Sequence, residues 1–174
     1  MDGLPVKADS NWMNNHFASQ HKVKFDLFRR FGYIAAAGDR HLAEFCEGSE
    51  AAFVEKMNKK ATDLGMKNTH FENTNGLDDT AENHVTSARD IAIMSRELLK
   101  HECVTKYSNV WQDSIRDGEF GLTNTTRLIR FYNGATGLKT GSTSKAGFCI
   151  SATAKRSGLH LIAVIMGAEN RDVR

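Results

Sequence analysis

Lys139, Thr140 and Gly141 form the part of this sequence whose residue types are best suited to chemistry. The ammonium group of Lys139 can hold a carboxylate by charge and by hydrogen bonding. Thr140 offers a hydroxyl to the same carboxylate, and Gly141 lets a ligand backbone lie against the chain because it has no Cβ. The triplet therefore predicts a binding edge for the carboxylate end of a ligand.

A nucleophile to match this triplet is harder to find. Serine acyl-transfer enzymes of one large class carry their nucleophile in a Ser-x-x-Lys motif. Two strings fit by letter, Ser19 with Lys22 and Ser142 with Lys145. The second string directly follows the triplet, so it cannot also face the triplet across a cleft, and the first lies in an unrelated segment. We therefore assign no catalytic residue.

Helical patterns dominate the first part of the chain. A polar pattern studded with aromatic residues predicts a helix over residues 9–30. A cap at Ser49 and another at Thr86 or Ser87, each followed by an apolar stripe, predict further helices over residues 49–64 and 87–100. The Asn, Asp and Gly residues of the intervening stretch, residues 66–86, are typical of an ordered loop.

Strand patterns dominate the remainder of the chain. Residues 162–166 are apolar at every position, which predicts a central strand covered on both faces. The other predictions are a hairpin over residues 111–122, a short strand over 137–140 that carries the triplet, longer strands over 148–155 and 160–167, and a tight turn at 156–158.

Composition excludes several classes of protein. The 174 residues, 40% hydrophobic and 25% charged, are ordinary for one globular domain, and a net charge of +2 gives no reason to expect nucleic acid as a partner. Cys46, Cys103 and Cys149 are too widely spaced for a metal or redox motif. No apolar run reaches the roughly 18 residues of a transmembrane segment, and no signal peptide is visible, so the chain as written is expected to be cytoplasmic.

A series of local strings in a fixed order carries a resemblance to a known family. From about residue 48 onward the chain resembles the D-alanyl-D-alanine carboxypeptidases, the low-molecular-mass penicillin-binding proteins that trim peptidoglycan stems. A lone Lys-Thr-Gly triplet would be a weak match, whereas an ordered set is specific. The matching strings cover residues 49–58, 64–71, 75–78, 84–90, 137–143, 146–148 and 162–168.

This resemblance implies an α/β (α+β) fold of the β-lactamase and DD-peptidase type, with an antiparallel sheet flanked by helices. The family is extracytoplasmic and membrane-associated, and its members are serine-type D-Ala-D-Ala carboxypeptidases. The implied ligand is a peptidoglycan stem peptide or a β-lactam. The residues that would bind this ligand are Lys139, Thr140, Gly141 and Ser142.

Departures from the family pattern set limits on what is expected of this chain. The Ser-x-x-Lys and Ser-x-Asn elements of the family have no counterpart at the expected place, so we expect little or no turnover. The N-terminal strands and the C-terminal helix of the fold are also expected to be missing. The strand over residues 160–167 would then present an uncovered edge, open to self-association.

A second resemblance covers residues 5–46, approximately. This stretch is similar to an internal segment of the NAD- and manganese-dependent family 4 glycoside hydrolases, of the α-galactosidase and α-glucosidase types, through residues 14–32 and 36–42. The glycine loop and the Cys and His metal ligands of that family are absent here, so no cofactor and no metal are expected. The ordinary interpretation, as polar histidines, is preferred for His16, His21 and His41.

The two resemblances divide the chain into residues 1–47 and 48–174. We interpret the chain as a fusion of two fragments, produced by gene rearrangement or by an error of sequence assembly. Two alternatives to a carboxypeptidase remain open. The chain is either a non-catalytic fragment or fusion product without activity, or a glycoside hydrolase remnant.

Overall fold

The computed structural model describes residues 33–77, 81–115 and 117–171. The predicted helix over residues 9–30 lies outside these ranges, and so does the candidate serine Ser19.

Serine caps fix the start of two of the described helices. The Ser49 hydroxyl accepts the backbone N–H of Ala52 at 3.1 Å, and the Ser87 hydroxyl accepts that of Asp90 at 3.2 Å. The cap predicted at Ser49 is confirmed, and of the two candidates for the second cap, Thr86 and Ser87, it is Ser87 that forms it. The helices of the described ranges are α1 (Tyr33–Glu47), α2 (Glu50–Asp63), α3 (Ala88–Leu98), α4 (Glu102–Ser108) and α5 (Leu128–Phe131).

Two antiparallel sheets follow the helices in sequence. Their strands are β1 (Gln112–Ile115), β2 (Phe120–Thr123), β3 (Ala135–Thr143), β4 (Gly147–Arg156) and β5 (Leu159–Ala168). The first two strands form the predicted hairpin, and the last three form a sheet in the order β3-β4-β5. The turn between β4 and β5 uses Ser157 and Gly158, both at positive φ, as a tight two-residue hairpin requires.

The three-stranded sheet has two unlike faces. Lys139, Ser151 and Val164 are cross-strand partners and share one face, which we call the helix face because Ser151 is hydrogen-bonded to Ser95 of α3. The opposite side, which we call the open face, carries cross-strand partners such as Ile150 and Ile165. Helix α3 therefore lies against only one side of the sheet.

Strand β5 differs from its prediction as a central strand. Among the described residues it pairs only with β4 and forms an edge of the sheet. Ile162 and Val164 are half-buried on the helix face, whereas Leu159 and Leu161 on the open face are 62% and 61% exposed. The all-apolar pattern was misleading because only one of the two faces is covered by described residues.

None of the helices in the described ranges is both long enough and apolar enough to cross a bilayer.

Candidate functional site

The pleat of β3 separates the side chains of the predicted binding triplet. Lys139 is exposed on the helix face, whereas Thr140 is only 6% exposed and lies on the opposite face. The Lys139 ammonium donates a hydrogen bond to the carbonyl of Thr140, so the lysine side chain folds back along its own strand. The charge of Lys139 is therefore held beside the backbone of the next residue.

Gly141 keeps the following stretch of β3 accessible. A Cβ built at this position would meet no atom within 4 Å, and the residue lies on a strand that pairs on one side only among the described residues. An extended ligand can approach such an edge closely and pair with its backbone groups. The predicted role of Gly141 is compatible with this geometry. Ser142, the fourth predicted binding residue, is exposed and pairs with Phe148 of β4.

A second threonine meets the triplet from outside the strand. The hydroxyl of Thr125, in the loop after β2, lies 2.7 Å from the hydroxyl of Thr140. Sequence reasoning missed this residue. The polar run of residues 123–126 directly after the hairpin was a signal that a hydrogen-bonded turn lies there, but nothing in the run shows its partner.

Asn124 holds that loop in place. Its side-chain amide donates to the carbonyls of Ser108 at 3.2 Å and Val110 at 3.0 Å. Its side-chain oxygen accepts the backbone N–H of Thr126 at 2.9 Å. Asn124 is buried, and its side-chain nitrogen and oxygen both have hydrogen-bond partners. The residue before Thr125 is therefore fixed, and this holds Thr125 against β3.

The start of β3 is fixed by α4. The Ser108 hydroxyl donates to the Thr136 carbonyl at 2.5 Å. Gly137 lies directly beneath it, with a φ of 141°, and a Cβ there would come within 2.6 Å of the Ser108 hydroxyl oxygen. Only glycine fits this close approach. The strand predicted over residues 137–140 is longer in the structure, where it runs from Ala135 to Thr143.

Hydroxyl pairs attach the helix face to its neighbours. The hydroxyl oxygens of Ser95 and Ser151 lie 2.7 Å apart, and both residues are buried. Within the sheet, the hydroxyls of Thr136 and Thr153 lie 2.8 Å apart. The first pair places α3 against β4, and the second joins β4 to β3, the strand that carries Lys139.

The loop predicted as ordered reaches the far end of β3. Asp90 anchors it, since one carboxylate oxygen accepts from the backbone of Asn68 at 2.7 Å and from the hydroxyl of Thr69 at 2.8 Å. Lys145, in the turn after β3, donates to the carbonyl of Ala81 at 3.4 Å. Ser142 lies on β3, the strand of the triplet, and Lys145 lies in the turn that follows it, as predicted.

The stretch of sequence that contains the triplet carries charge of one sign. Between Phe120 and Ala168 the sequence contains six Lys or Arg residues and no Asp or Glu. The overall net charge conceals this asymmetry, which favours an anionic ligand over a cationic one at β3.

The geometry that a metal ion needs is a group of several ligating side chains. In the described ranges no group of three His, Cys, Asp or Glu side chains is placed to hold an ion. His41 lies on α1, where its Nδ1 atom is 3.5 Å from a carboxylate oxygen of Glu44.

Comparison with known proteins gives one family over most of the chain. The family model for D-alanyl-D-alanine carboxypeptidase matches residues 10–170. The D-alanyl-D-alanine carboxypeptidase DacF of Bacillus subtilis is 52% identical over 140 residues, which are 78% of this chain and 36% of that protein. The chain thus spans about a third of the length of this curated relative.

Comparison of structures agrees with the sequence. Penicillin-binding protein D2 from Listeria monocytogenes, in its cefotaxime-bound form, matches with a TM-score of 0.70 and 30% identity. The match covers 78% of this chain and 54% of that one. The expected fold class, a partial DD-peptidase fold with helices and antiparallel sheet, is confirmed.

A short match to a different family is also present. The alpha-galacturonidase of Thermoanaerobacterium saccharolyticum is 65% identical over 46 residues, which are 26% of this chain and 10% of that protein. This match confirms the resemblance to glycoside hydrolases seen in the sequence. The larger part of the chain, with the triplet strand and its sheet, belongs to the D-alanyl-D-alanine carboxypeptidase family.

Proposed function

We propose that this chain binds the terminal carboxylate of a D-alanyl-D-alanine peptide at β3 and does not hydrolyse it. The observation that carries the proposal is the pairing of an exposed cation with an open strand edge. Lys139 is exposed, and a Cβ built at Gly141 would meet no described atom within 4 Å. The surrounding excess of basic residues supports the same class of ligand.

The absence of turnover follows from the residues present. An acyl-enzyme needs a serine whose hydroxyl reaches the carbonyl held at β3. Of the two Ser-x-x-Lys strings in the sequence, that of Ser142 and Lys145 lies on β3 and its turn, and that of Ser19 belongs to an unrelated segment. Binding groups alone supply little of the rate of such enzymes.

Intact-mass spectrometry after incubation with a penicillin tests the catalytic half of the proposal. We expect no mass increase, while a full-length carboxypeptidase treated in parallel gains one penicilloyl group. A stable adduct on any serine of this chain would overturn the statement that it lacks a working nucleophile.

A titration with N-acetyl-D-alanyl-D-alanine, followed by NMR, tests the binding half. We expect Lys139→Ala to weaken binding about tenfold, because a charge-assisted hydrogen bond is lost. Lys155→Ala is the matched control, since Lys155 is an exposed lysine at the other end of the sheet. Equal affinities of the two variants would refute a role for Lys139.

We further propose that β5 mediates self-association. Its outer edge has no partner strand in the described ranges, and Leu159 and Leu161 are among the most exposed large apolar side chains there. Such edges pair readily with a second chain. Sedimentation velocity at rising concentration should show a dimer, and Leu161→Lys should shift it toward monomer. A monomer at all concentrations would refute this proposal.

The boundary between residues 1–47 and 48–174 is also a proposal. The short glycoside hydrolase match supports a separate origin of one segment, although the carboxypeptidase model itself spans residues 10–170. Sequencing an amplicon across codons 40–55 from source DNA tests whether the fusion exists in the gene. Titration with NAD and Mn²⁺ tests the alternative that the chain is a glycoside hydrolase remnant. We expect no binding, because the glycine loop for NAD and the Cys and His ligands for the metal are missing from the sequence.

A further inference from the structure

Three large side chains lie exposed at the end of the sheet where β4 turns into β5. Phe131 of α5 is 71% exposed, Tyr132 directly after it is 45% exposed, and Leu159 at the start of β5 is 62% exposed. Arg156 joins the last two, because it is the cross-strand partner of Leu159 and its guanidinium carbon lies 5.7 Å from the centre of the Tyr132 ring. Exposed apolar residues that adjoin one another in this way mark an interaction surface, whereas scattered ones need no explanation.

A second arginine lies among the rings. The guanidinium carbon of Arg130 is 5.4 Å from the centre of the Phe131 ring and 5.6 Å from that of Trp111. An arginine over an aromatic face keeps its charge, and its stem adds apolar contact. The exposed side chains and the two arginines form one surface, which we call the turn-end patch: Arg130, Phe131, Tyr132, Arg156 and Leu159.

The charge of the turn-end patch calls for an anionic partner. Its residues belong to the stretch between Phe120 and Ala168 that has no Asp or Glu, and the exposed Lys155 adds a cation directly before Arg156. A guanidinium binds phosphate oxygens in pairs and is only weakly hydrated. Aromatic rings beside such cations are typical of proteins that sit at the boundary between lipid headgroups and acyl chains. The combination therefore fits an anionic lipid surface.

The backbone at this end of the sheet favours a bilayer over strand addition by a protein. Strands β4 and β5 pair up to Arg156 and Leu159, and the tight turn of Ser157 and Gly158 closes them. A partner that adds a strand pairs along an edge, whereas the turn-end patch lies at a closed tip. A tip whose backbone is already paired can enter the headgroup region without leaving polar groups unsatisfied.

We propose that the turn-end patch binds the surface of a bilayer that contains anionic phospholipids. Phe131 and Leu159 enter the headgroup region, and Arg130 and Arg156 contact lipid phosphates. Lys139, farther along β3, is not part of the patch. Lipid binding is therefore independent of the peptide binding proposed above.

Cosedimentation of the full chain with vesicles tests the proposal. One set of vesicles contains phosphatidylcholine with about a third phosphatidylglycerol, and the other contains phosphatidylcholine alone. We expect the chain to bind the anionic set about tenfold more strongly. Raising the salt concentration should remove most of this difference, because salt screens the charge of the lipid surface.

Variants locate the contact. Phe131→Ser should lower the partition coefficient on anionic vesicles about tenfold, because an apolar insertion is lost. Phe45→Ser is the matched control, since Phe45 is 52% exposed on α1, outside the patch, and should change nothing. Arg130→Gln and Arg156→Gln should each lower the coefficient about fivefold. Arg96→Gln, at an exposed arginine of α3, should leave it unchanged.

Equal binding to the two sets of vesicles, or equal losses in patch and control variants, would overturn the proposal. An unchanged vesicle affinity of Phe131→Ser, together with a changed sedimentation coefficient in the absence of lipid, would assign the patch to a second copy of this chain and overturn it too. Binding to soluble polyglutamate but not to vesicles would refute it in favour of an acidic protein. If Phe131→Ser does not fold, Leu159→Ser decides in the same way, because Leu159 is nearly as exposed.

Discussion

The two faces of the three-stranded sheet are held by different kinds of contact. On the helix face, buried hydroxyls of Ser95 and Ser151 join α3 to β4, and Ser108 fastens β3. On the open face, Thr125 covers Thr140 at one edge, while Leu159 and Leu161 remain exposed at the other. The helix face is held by directional hydrogen bonds, which tolerate little change in the residues that form them. The exposed side chains of the open face are apolar, so their contribution to stability depends on what covers them.

The largest effect is expected where the helix face is most tightly packed. Gly137→Ala places a Cβ against Ser108 and demands a φ that L-residues rarely adopt. We expect a loss of about 3 kcal/mol in the free energy of unfolding, measured in urea, or failure to fold.

Gly141→Ala is the matched control for this change on the same strand. Its Cβ meets no atom within 4 Å, so the free energy of unfolding should change by about 0.5 kcal/mol or less. Similar losses for the two glycines would contradict the close packing of α4 against β3.

The serine pair is expected to give the next largest effect. Ser151→Ala leaves the hydroxyl of Ser95 buried without its partner, which costs about 1–3 kcal/mol of unfolding free energy. Ser95→Ala should cost a similar amount for the same reason.

The double variant decides whether the two serines act as a pair. When both hydroxyls are absent, no polar group is left unsatisfied, so the double loss should be smaller than the sum of the single losses. Additive losses would mean that the serines stabilise α3 and the sheet independently.

Leu161 and Ile162 allow the two faces to be compared at neighbouring positions of β5. Ile162 is half-buried on the helix face, and Ile162→Ala should cost about 1–2 kcal/mol. Leu161→Ala on the open face should cost about 0.5 kcal/mol or less in dilute monomer. A large loss at Leu161 in dilute solution would show that another part of the same chain covers the open face.

Sequence alone was sufficient for the parts of the fold that depend on local rules. The caps at Ser49 and Ser87, the hairpin after α4 and the turn between β4 and β5 follow from residue type and spacing. The apolar pattern of β5 wrongly predicted a central strand, because such a pattern reports what a strand tends to bury and not what is present to cover it. The uncovered edge expected from the family resemblance agrees with the position of β5 among the described residues.

The candidate site divides in the same way. The triplet could be found because three adjacent residues carry it. Thr125 could not be found, because its contact with Thr140 joins two segments through a buried loop that Asn124 organises. Such contacts depend on tertiary packing, which has no local signature in the chain.

The smallest predicted effect is the response to low pH, which should differ between α1 and the sheet formed by β3–β5. Between Phe120 and Ala168 there is no carboxyl to titrate, whereas Glu44 of α1 is bonded to Arg40 at 3.0 Å. This hydrogen bond lowers the pKa of Glu44 from its ordinary value of 4.5. Because the pKa of Glu44 is lower in the folded state, its contribution to stability is fully present above the pKa of the unfolded state. This contribution is lost as the pH falls through the pKa of the folded state.

Amide chemical shifts measured during acid titration below pH 4.5 should therefore move in α1 while those of β3–β5 stay nearly constant. Glu44→Gln should remove the part of the change in α1 that comes from this carboxyl. The pair is exposed, so the effect on global unfolding should be close to undetectable. If β3–β5 moved together with α1, acid would be acting on both through global unfolding, and the separation between a charge-paired helical part and a sheet held by hydroxyls and apolar contacts would be wrong.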